Sequence, residues 1–293
     1  MEITHTASRA GRLSSFLKQE MGMSSGLINR LKWSRRILVN GKPEHNDYQV
    51  AIGDTITALL DAPAAEFPPE DGPLTILYED EHLLAVDKPA GMLIHPSRSC
   101  NTGTLANFLL GYYQKTGQSS AFHPLTRLDR DTFGVVLLAK NAHVHAKLQE
   151  TAVQKTYHAL VYGKPGSPEG IIDAPIARRD KPSLLREIRP DGKPSVTRYR
   201  VLEELEGCTK LALTPVTGRT HQLRLHCSYM GFPILGDPQY GGSASQAFSQ
   251  KLGLTTQALC AHSLELRHPI TGEDLRIVSR CCLPDAFPVG ELP

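Results

Sequence analysis

The sequence predicts an α+β protein with a small N-terminal domain at residues 1–60 and a larger domain at residues 73–293. The first domain shows helical spacing of apolar residues followed by short strand-like runs. The second alternates short apolar runs with turns, which is typical of a mainly antiparallel sheet with added helices. Between them, residues 61–72 are rich in acids and prolines, and we interpret them as a linker.

The N-terminal domain has a simple predicted order of elements. Apolar spacing predicts helices within residues 12–21 and 25–31. The pattern then changes to strands, and Asn40-Gly41 is a strong hairpin signal because both residues tolerate positive φ. Gly53-Asp54 predicts a second turn, followed by a strand at residues 55–59.

Basic residues are concentrated in two segments, although the formal net charge is only +2. Residues 28–42 contain no acid and five bases, which are Arg30, Lys32, Arg35, Arg36 and Lys42. Residues 178–200 contain eight bases and three acids among prolines, and we expect an exposed, partly mobile segment. Either segment alone is compatible with an ordinary solvated face. Two in one chain favour a polyanionic partner such as RNA.

The sequence excludes several classes of protein. It has no apolar stretch near the ~18 residues of a membrane span and no signal-peptide core, so we expect a cytoplasmic protein. None of the six cysteines forms a C-x-x-C pair, which favours reduced thiols. Dinucleotide, phosphate-loop and zinc-protease motifs are also missing, so we expect no cofactor and no metal. We expect the protein to be a monomer.

The larger domain alternates strands, turns and helices. Residues 78–81, "YEDE", predict the turn between two strands, and the second strand leads into a tight basic loop at residues 86–91. Lys88 in this loop is a candidate RNA contact. Further predicted elements are a helix within 141–153, a strand at 155–162, a strand ending at Val216 and a helix at 221–230 that Gly231 ends.

A short polar segment, "TRLDRDTFG" at residues 126–134, precedes the apolar run at residues 135–139. Its carboxylates, Asp129 and Asp131, have two possible roles. Aspartate often closes a turn through its own backbone. A carboxylate can also serve as a nucleophile at a sugar carbon. The segment alone leaves both alternatives open.

Four ordered segments, "VDKPAGMLIHP", "TRLDRDTFGVVLLAK", "KTYHALVYG" and "TGRTHQLRLHCSYMGFPILGDPQYG", resemble the RluA-like family of RNA pseudouridine synthases. The basic helices followed by "ILVNGKP" and "VAIGDTI" resemble an S4 RNA-binding domain over about residues 9–60. The first resemblance implies a mixed, largely antiparallel catalytic sheet with flanking helices and a central RNA-binding cleft. It also implies isomerisation of uridine to pseudouridine, without a cofactor.

The resemblance assigns roles residue by residue. Asp129 is similar to the family nucleophile, and Arg219 to the arginine that pairs with it. Tyr157 resembles the tyrosine that lies against the target base and assists proton transfer from C5. Arg127 matches the arginine that occupies the place of the extruded base. His221 is expected to be structural or to face the RNA.

Two positions depart from the family pattern. Thr126 stands where the family usually has histidine, and Phe133 where it has serine or threonine.

We predict a synthase acting on structured ribosomal or transfer RNA. A catalytically silent RNA-binding or ribosome-assembly protein is one alternative. A nucleoside hydrolase or glycosidase is the other, although no second well-placed acid is evident.

Overall fold

The computed structural model describes residues 2–60, 67–97, 100–118, 120–180, 183, 185–281 and 283. The helices within them are α1 Leu13–Gln19, α2 Ser25–Trp33, α3 Leu105–Lys115, α4 Ala142–Glu150, α5 Gln222–Tyr229 and α6 Ser243–Lys251. The strands are β1 Glu2–Thr6, β2 Gly11–Arg12, β3 Ile37–Val39, β4 Lys42–Pro43, β5 Gln49–Val50, β6 Thr55–Leu59, β7 Ile76–Glu79, β8 Leu83–Lys88, β9 His123–Pro124, β10 Phe133–Ala139, β11 Val153–Tyr162, β12 Glu169–Asp173, β13 Ile176–Arg178, β14 Arg186–Ile188, β15 Val196–Leu205, β16 Cys208–Pro215, β17 Leu259–Arg267 and β18 Asp274–Val278.

Residues 2–60 form a four-stranded sheet in the order β1-β6-β3-β4, packed with α1 and α2 around a core of their own. Asn40 and Gly41 have φ values of 50° and 77°, which confirms the predicted hairpin. Strand β1 was not predicted. Its sequence, EITHT, contains a single apolar residue, because it is an edge strand with one exposed face.

The larger sheet has the strand order β12-β15-β16-β11-β17-β10-β8-β7, with β18 paired to β17 and β9 to β10. Its pairs are antiparallel apart from β10 and β17, which are parallel. The predicted mixed, largely antiparallel sheet is therefore confirmed. Strand β17 lies between β11 and β10, so it joins the two halves of this sheet.

Helices cover this sheet where its strands are apolar. Helix α5 packs against β11 and β16 through Leu223 and Cys227, and α4 packs against β8 and β10 through Val144 and Leu148. Helix α3 packs in a third cluster through Leu105 and Leu109. The sequence reasoning missed α3, although its first turn carries a capping box.

Part of the predicted linker lies against α3. The backbone N–H of Glu70 donates to the carbonyl of Asn107 at 3.0 Å, and a Cβ at Gly72 would lie 2.3 Å from the ring of Phe108. Residues 61–66 lie outside the described residues, so the division at residues 60 and 73 stays a prediction.

Two expectations about the class of protein can be compared with the structure. No helix among the described residues is long and apolar enough to cross a membrane. The described cysteines are free thiols, and Cys208, Cys227 and Cys260 are buried. Both findings concern only the part of the chain that the structure covers.

Candidate active site

The segment at residues 126–134 forms a tight turn between β9 and β10. The backbone N–H of Thr132 donates to the carbonyl of Asp129 at 3.2 Å, which closes the turn. Thr126 is buried, and its hydroxyl accepts the backbone N–H of Leu137 at 3.2 Å. The departure from histidine at residue 126 therefore places a compact hydroxyl inside the turn, where it satisfies the backbone.

The buried side chain of Lys88 stabilises this turn. Its side chain is fully buried, and Nζ donates to the carbonyls of Pro89 at 2.9 Å, Met92 at 2.9 Å and Arg130 at 2.8 Å. Burial lowers the pKa of Lys88 to about 8, against the opposing attraction of Asp131 and Asp129. The expectation that Lys88 contacts RNA is wrong, because all three donor positions of its ammonium are used inside the protein.

The far end of the turn is fixed against β17. Thr132 accepts a hydrogen bond from the buried side-chain amide of Gln257. Gly134 has φ +107°, and a Cβ at this position would lie 2.3 Å from the carbonyl oxygen of Ala261. Phe133 packs in the hydrophobic cluster that contains Leu160. It does not line the cavity beside Asp129, so this departure does not obstruct the site.

The carboxylate of Asp129 is paired with Arg224. Arg224 Nη1 donates to Asp129 Oδ2 at 2.9 Å. The same guanidinium donates from Nε and Nη2 to the two oxygens of Asp237, at 2.7 and 2.8 Å, and from Nη2 to Gln239 Oε1 at 2.9 Å. It also lies 5.2 Å from the ring centroid of Tyr240. Asp237, Gln239 and Tyr240 thus hold the guanidinium of Arg224 in place, and its Nη1 is left to donate to Asp129.

Electrostatics favour the charged form of this arginine. Burial alone would lower the pKa of Arg224, but the hydrogen bonds and charges of Asp237 and Asp129 outweigh burial and raise it. The Asp237 side chain has no exposed surface and the Arg224 side chain is 6% exposed. A fixed positive charge therefore stands beside Asp129, whose Oδ1 accepts no hydrogen bond from the residues described.

The predicted ion pair between Arg219 and Asp129 is wrong. The exposed side chain of Arg219 donates from Nε to the carbonyl of Pro194 at 3.2 Å. Its backbone N–H donates to Gln222 Oε1 at 3.0 Å. Arg219 precedes α5, whereas Arg224 lies inside it, and the helix turns residue 224 toward Asp129.

Asp129 opens into a cavity of about 570 Å³. The lining includes the predicted residues Arg127, Tyr157, Arg219 and His221 together with Arg224. Asp129 is the sole acid among the described residues that line it.

The predicted residues occupy different depths of this cavity. Arg127 is exposed at its mouth, whereas Tyr157 follows an irregularity in β11 and is partly buried. Burial and the charge of Asp129 raise the pKa of Tyr157 to about 12. The phenol is therefore neutral near pH 7.

His221 lies at the start of α5 with its ring between Tyr240 and Asp129. Nδ1 is 2.9 Å from the Tyr240 hydroxyl, and Nε2 is 3.9 Å from Asp129 Oδ2. His226, five residues later, is buried and contacts the Thr197 hydroxyl and the Ala174 carbonyl. Within the described ranges, no three side chains are grouped as metal ligands.

The glycosidase alternative can be compared with this geometry. Asp237 and Asp129 both accept hydrogen bonds from Arg224. Both carboxylate oxygens of Asp237 are occupied by Arg224. Its side chain is fully buried, so it cannot activate a water molecule in the cavity. Among the described residues, the arrangement therefore opens one carboxylate, that of Asp129, to the cavity and not a pair of acids.

Of the five basic residues within residues 28–42, Lys42 lies on β4 and the other four lie on or just after α2. Trp33 is 84% exposed, and Lys32 Nζ lies 5.9 Å from its ring centroid. Arg35 is also exposed, whereas Arg36 is partly buried. The side chain of Arg30 lies outside the described part of the structure.

Part of the second basic segment lies in a hairpin of β13 and β14 beside the site, and its last residues lie on β15. Arg189 contacts Asp191, Glu187 and Asp180, so part of its charge is balanced locally. The backbone N–H of Arg186 donates to the Tyr240 hydroxyl at 2.9 Å, which connects this hairpin to the ring that holds His221.

Sequence reasoning missed two members of the site, Arg224 and Asp237. A usable signal was present for Arg224, since it lies between Leu223 and Leu225 in a helix whose residues 222–227 are buried. A buried arginine requires an anionic partner. Asp237 carried no comparable signal, because Gly-Asp-Pro also reads as an ordinary turn.

Known RNA pseudouridine synthases are similar to this chain over most of its length. A model of the RNA pseudouridylate synthase family matches residues 82–229. An uncharacterised RNA pseudouridine synthase of Bacillus subtilis is 37% identical over 264 residues, which cover 88% of this chain and 91% of that protein. The ribosomal large subunit pseudouridine synthase D of Pseudomonas aeruginosa is 40% identical over 233 residues, covering 76% of this chain and 72% of that protein.

A solved structure gives the same family. The human RNA pseudouridylate synthase domain containing 1 superposes with a TM-score of 0.58 and 27% sequence identity. The match covers 72% of this chain and 84% of that one.

Proposed function

The chain belongs to the RluA-like RNA pseudouridine synthases, isomerases that act on RNA, and from this premise we propose that Asp129 is its nucleophile and structured RNA its substrate. The observation that carries the proposal is the asymmetry of the Asp129 carboxylate. Oδ2 is held by Arg224, while Oδ1 has no hydrogen-bond partner among the described residues. One oxygen is oriented and the other is available for reaction.

The reaction requires such a carboxylate. Breaking the bond between N1 and C1′ leaves the electron pair on the uracil and positive charge on the sugar carbon. Asp129 Oδ1 captures C1′, the uracil turns, and its C5 attacks C1′ and displaces the carboxylate. The fixed guanidinium of Arg224 stabilises the negative charge of Asp129 before attack and after displacement.

Two arginines that line the cavity are suited to contact the RNA. Arg127 is exposed two residues before Asp129 and is suited to take the place of the extruded uridine. Arg219, which does not pair with Asp129, is free to contact a phosphate from the opposite rim. Tyr157 lies deeper and is suited to pack against the uracil.

We further propose that residues 1–60 act as an S4-like RNA-binding domain, joined by a linker at 61–72 to the catalytic domain at 73–293. The exposed Trp33 with Lys32 and Arg35 gives this part a basic, aromatic face. The name of the Pseudomonas relative points to ribosomal RNA as the first substrate class to test, and transfer RNA is the second. Such substrates and free thiols would place the enzyme in the cytoplasm.

A two-substrate assay tests the target. Ribosomal RNA and transfer RNA fragments lacking modifications are incubated with the enzyme, and pseudouridine is mapped at single-nucleotide resolution. We expect modification at defined uridines of ribosomal RNA that Asp129→Asn abolishes. Modification confined to transfer RNA would contradict the ribosomal assignment, and activity retained by Asp129→Asn would contradict the nucleophile.

A salt titration tests the N-terminal face. Replacing Lys32, Arg35 and Arg36 by glutamine should weaken RNA binding and reduce the slope of log affinity against log salt by roughly two to three units. Replacement of Lys164, which pairs with Glu204 elsewhere on the surface, is the matched control. An unchanged slope in the triple variant would contradict RNA binding by this face.

A further inference from the structure

His221 has a backbone conformation that is unusual for its side chain. Its φ and ψ are 57° and 18°, in the left-handed region that non-glycine residues seldom adopt. Such conformations are unfavourable and persist where the surrounding structure holds them, often at functional sites. Here the conformation aims the ring at Asp129 from the start of α5.

The His221 ring is fixed on one side and open on the other. Tyr240 contacts Nδ1 at 2.9 Å, and the hydroxyl of Tyr240 also accepts the backbone N–H of Arg186 at 2.9 Å. The Tyr240 and His221 rings meet edge to face, with centroids 5.6 Å apart. Nε2 is left facing the cavity, 3.9 Å from Asp129 Oδ2.

The proposed reaction contains one proton transfer that Asp129 and Arg224 do not explain. After C5 has bonded to C1′, it still carries its hydrogen, and the ring is a neutral imine between N1 and C6. A base must remove the C5 proton, the electron pair of the C–H bond then re-forms the double bond between C5 and C6, the electron pair of the imine moves to N1, and N1 takes up a proton from water. Because C5 is now attached to C1′, the base must lie close to Asp129.

Two other side chains in the cavity are poorer candidates. Tyr157 is neutral near pH 7, because burial and Asp129 raise its pKa to about 12. Lys155 lines the cavity, but no hydrogen bond or ion pair joins it to Asp129 in the described structure. Burial lowers the pKa of Lys155, so it remains the group to compare by experiment.

We propose that His221 is a catalytic residue that accepts the C5 proton through Nε2. The assignment rests on the proposed role of Asp129. In the tautomer that the step requires, Nδ1–H donates to the Tyr240 hydroxyl and Nε2 presents its lone pair to the cavity. The imidazolium then faces the carboxylate that C5 has just displaced, so the new positive charge forms beside a negative one. Release of the proton to water restores the neutral ring.

The charges around His221 agree with a neutral base. Burial lowers the pKa of His221 most, the Asp129 charge opposes burial, and Arg224 and Arg186 lower the pKa further, while Asp237 raises it. The Tyr240 hydroxyl also faces the ring. The net shift is downward, so the ring is unprotonated at pH 7 and gains a proton only at lower pH.

An isotope experiment tests this role. Asparagine tolerates the left-handed conformation, so His221→Asn removes the base with little backbone strain. Single-turnover rates are measured on RNA carrying hydrogen or deuterium at C5 of the target uridine. We expect His221→Asn to slow pseudouridine formation by about 10²-fold or more. In this variant, deuterium at C5 should slow the reaction further, and added imidazole should restore part of the rate. The acidic limb of the pH profile should also be lost.

Lys155→Met is the matched control, a cavity-lining titratable group without a contact to Asp129. It should retain the wild-type isotope response. A rate for His221→Asn within threefold of wild type, or a slow rate without an isotope effect or imidazole rescue, would overturn the proposal. So would an isotope effect that appears only in Lys155→Met. Failure of the Asp129 proposal is seen separately, as activity that survives Asp129→Asn.

Discussion

Replacement of Arg224 by methionine tests the construction of the site most directly. The change preserves a long side chain but removes four hydrogen bonds, two to Asp237 and one each to Asp129 and Gln239. Asp237 is then left as a charge without exposed surface. Breaking one partner of a buried ion pair costs about 3–5 kcal/mol, and this is the loss of unfolding free energy that we expect.

Activity should fall independently of stability. With Arg224 absent, nothing in the described structure fixes Asp129 Oδ2, and misplacing a reacting group by about 1 Å costs roughly 10²-fold in rate. Arg224→Lys should restore little, because lysine supplies charge without the planar fork that bridges two carboxylates. Arg219→Met is the matched control. Its side chain is exposed and does not contact Asp129, so the variant should retain wild-type stability and, with the RNA saturated by protein, the single-turnover rate, and any loss should be confined to RNA affinity.

The double variant Arg224→Met/Asp237→Asn separates the two effects. It removes the orphaned charge, so part of the unfolding free energy should return while the rate stays low. Stability is measured by urea unfolding and the rate by single-turnover pseudouridine formation. The reasoning is refuted if Arg224→Met unfolds at the wild-type urea midpoint, or if Arg219→Met loses as much activity as Arg224→Met.

Three further changes have definite expected results. Asp129→Asn should reduce pseudouridine formation to below about a hundredth of wild type with an intact fold, whereas Asp131→Asn should be much milder; equal losses in a rate assay would mean that the wrong carboxylate was chosen. Lys88→Met should lower the unfolding free energy by about 2–4 kcal/mol in urea, since three carbonyls lose their donor, and should leave the salt slope of RNA binding unchanged. Gly134→Ala should lower the melting temperature, because the added methyl meets the carbonyl of Ala261; a variant as stable as wild type would contradict the packing of this turn against β17.

Part of the fold could be predicted from the sequence because it depends on the chemistry of neighbouring residues. The Asn40-Gly41 hairpin and the end of α5 at Gly231 follow from backbone preferences that act within a few residues. Several elements were not predicted, among them β1, α3, α6 and β17, and of these α3 carried a local signal in its capping box. Strand β1 is mostly polar and is specified by its pairing with β6.

The site shows the same division. The turn around Asp129 was located by its own sequence, but its charge partner was not. Arg219 and Arg224 are five residues apart in one segment, and only the left-handed backbone at His221 and the helix that follows decide which one reaches Asp129. Lys88 was misread because its sequence shows a basic loop but not the three carbonyls that fold around the ammonium.

The place of β17 in the sheet governs when the protein can become active during its synthesis. Asp129 precedes β10, Tyr157 lies on β11, and these two strands have no contact in the sheet except through residues 259–267 between them. A nascent chain emerging from the ribosome therefore carries its nucleophile for some 130 residues before the strand that completes the sheet is made. Because Leu259 of β17 lines the cavity beside Asp129, a nascent chain that ends before residue 259 lacks part of the cavity wall as well as the strand between β10 and β11.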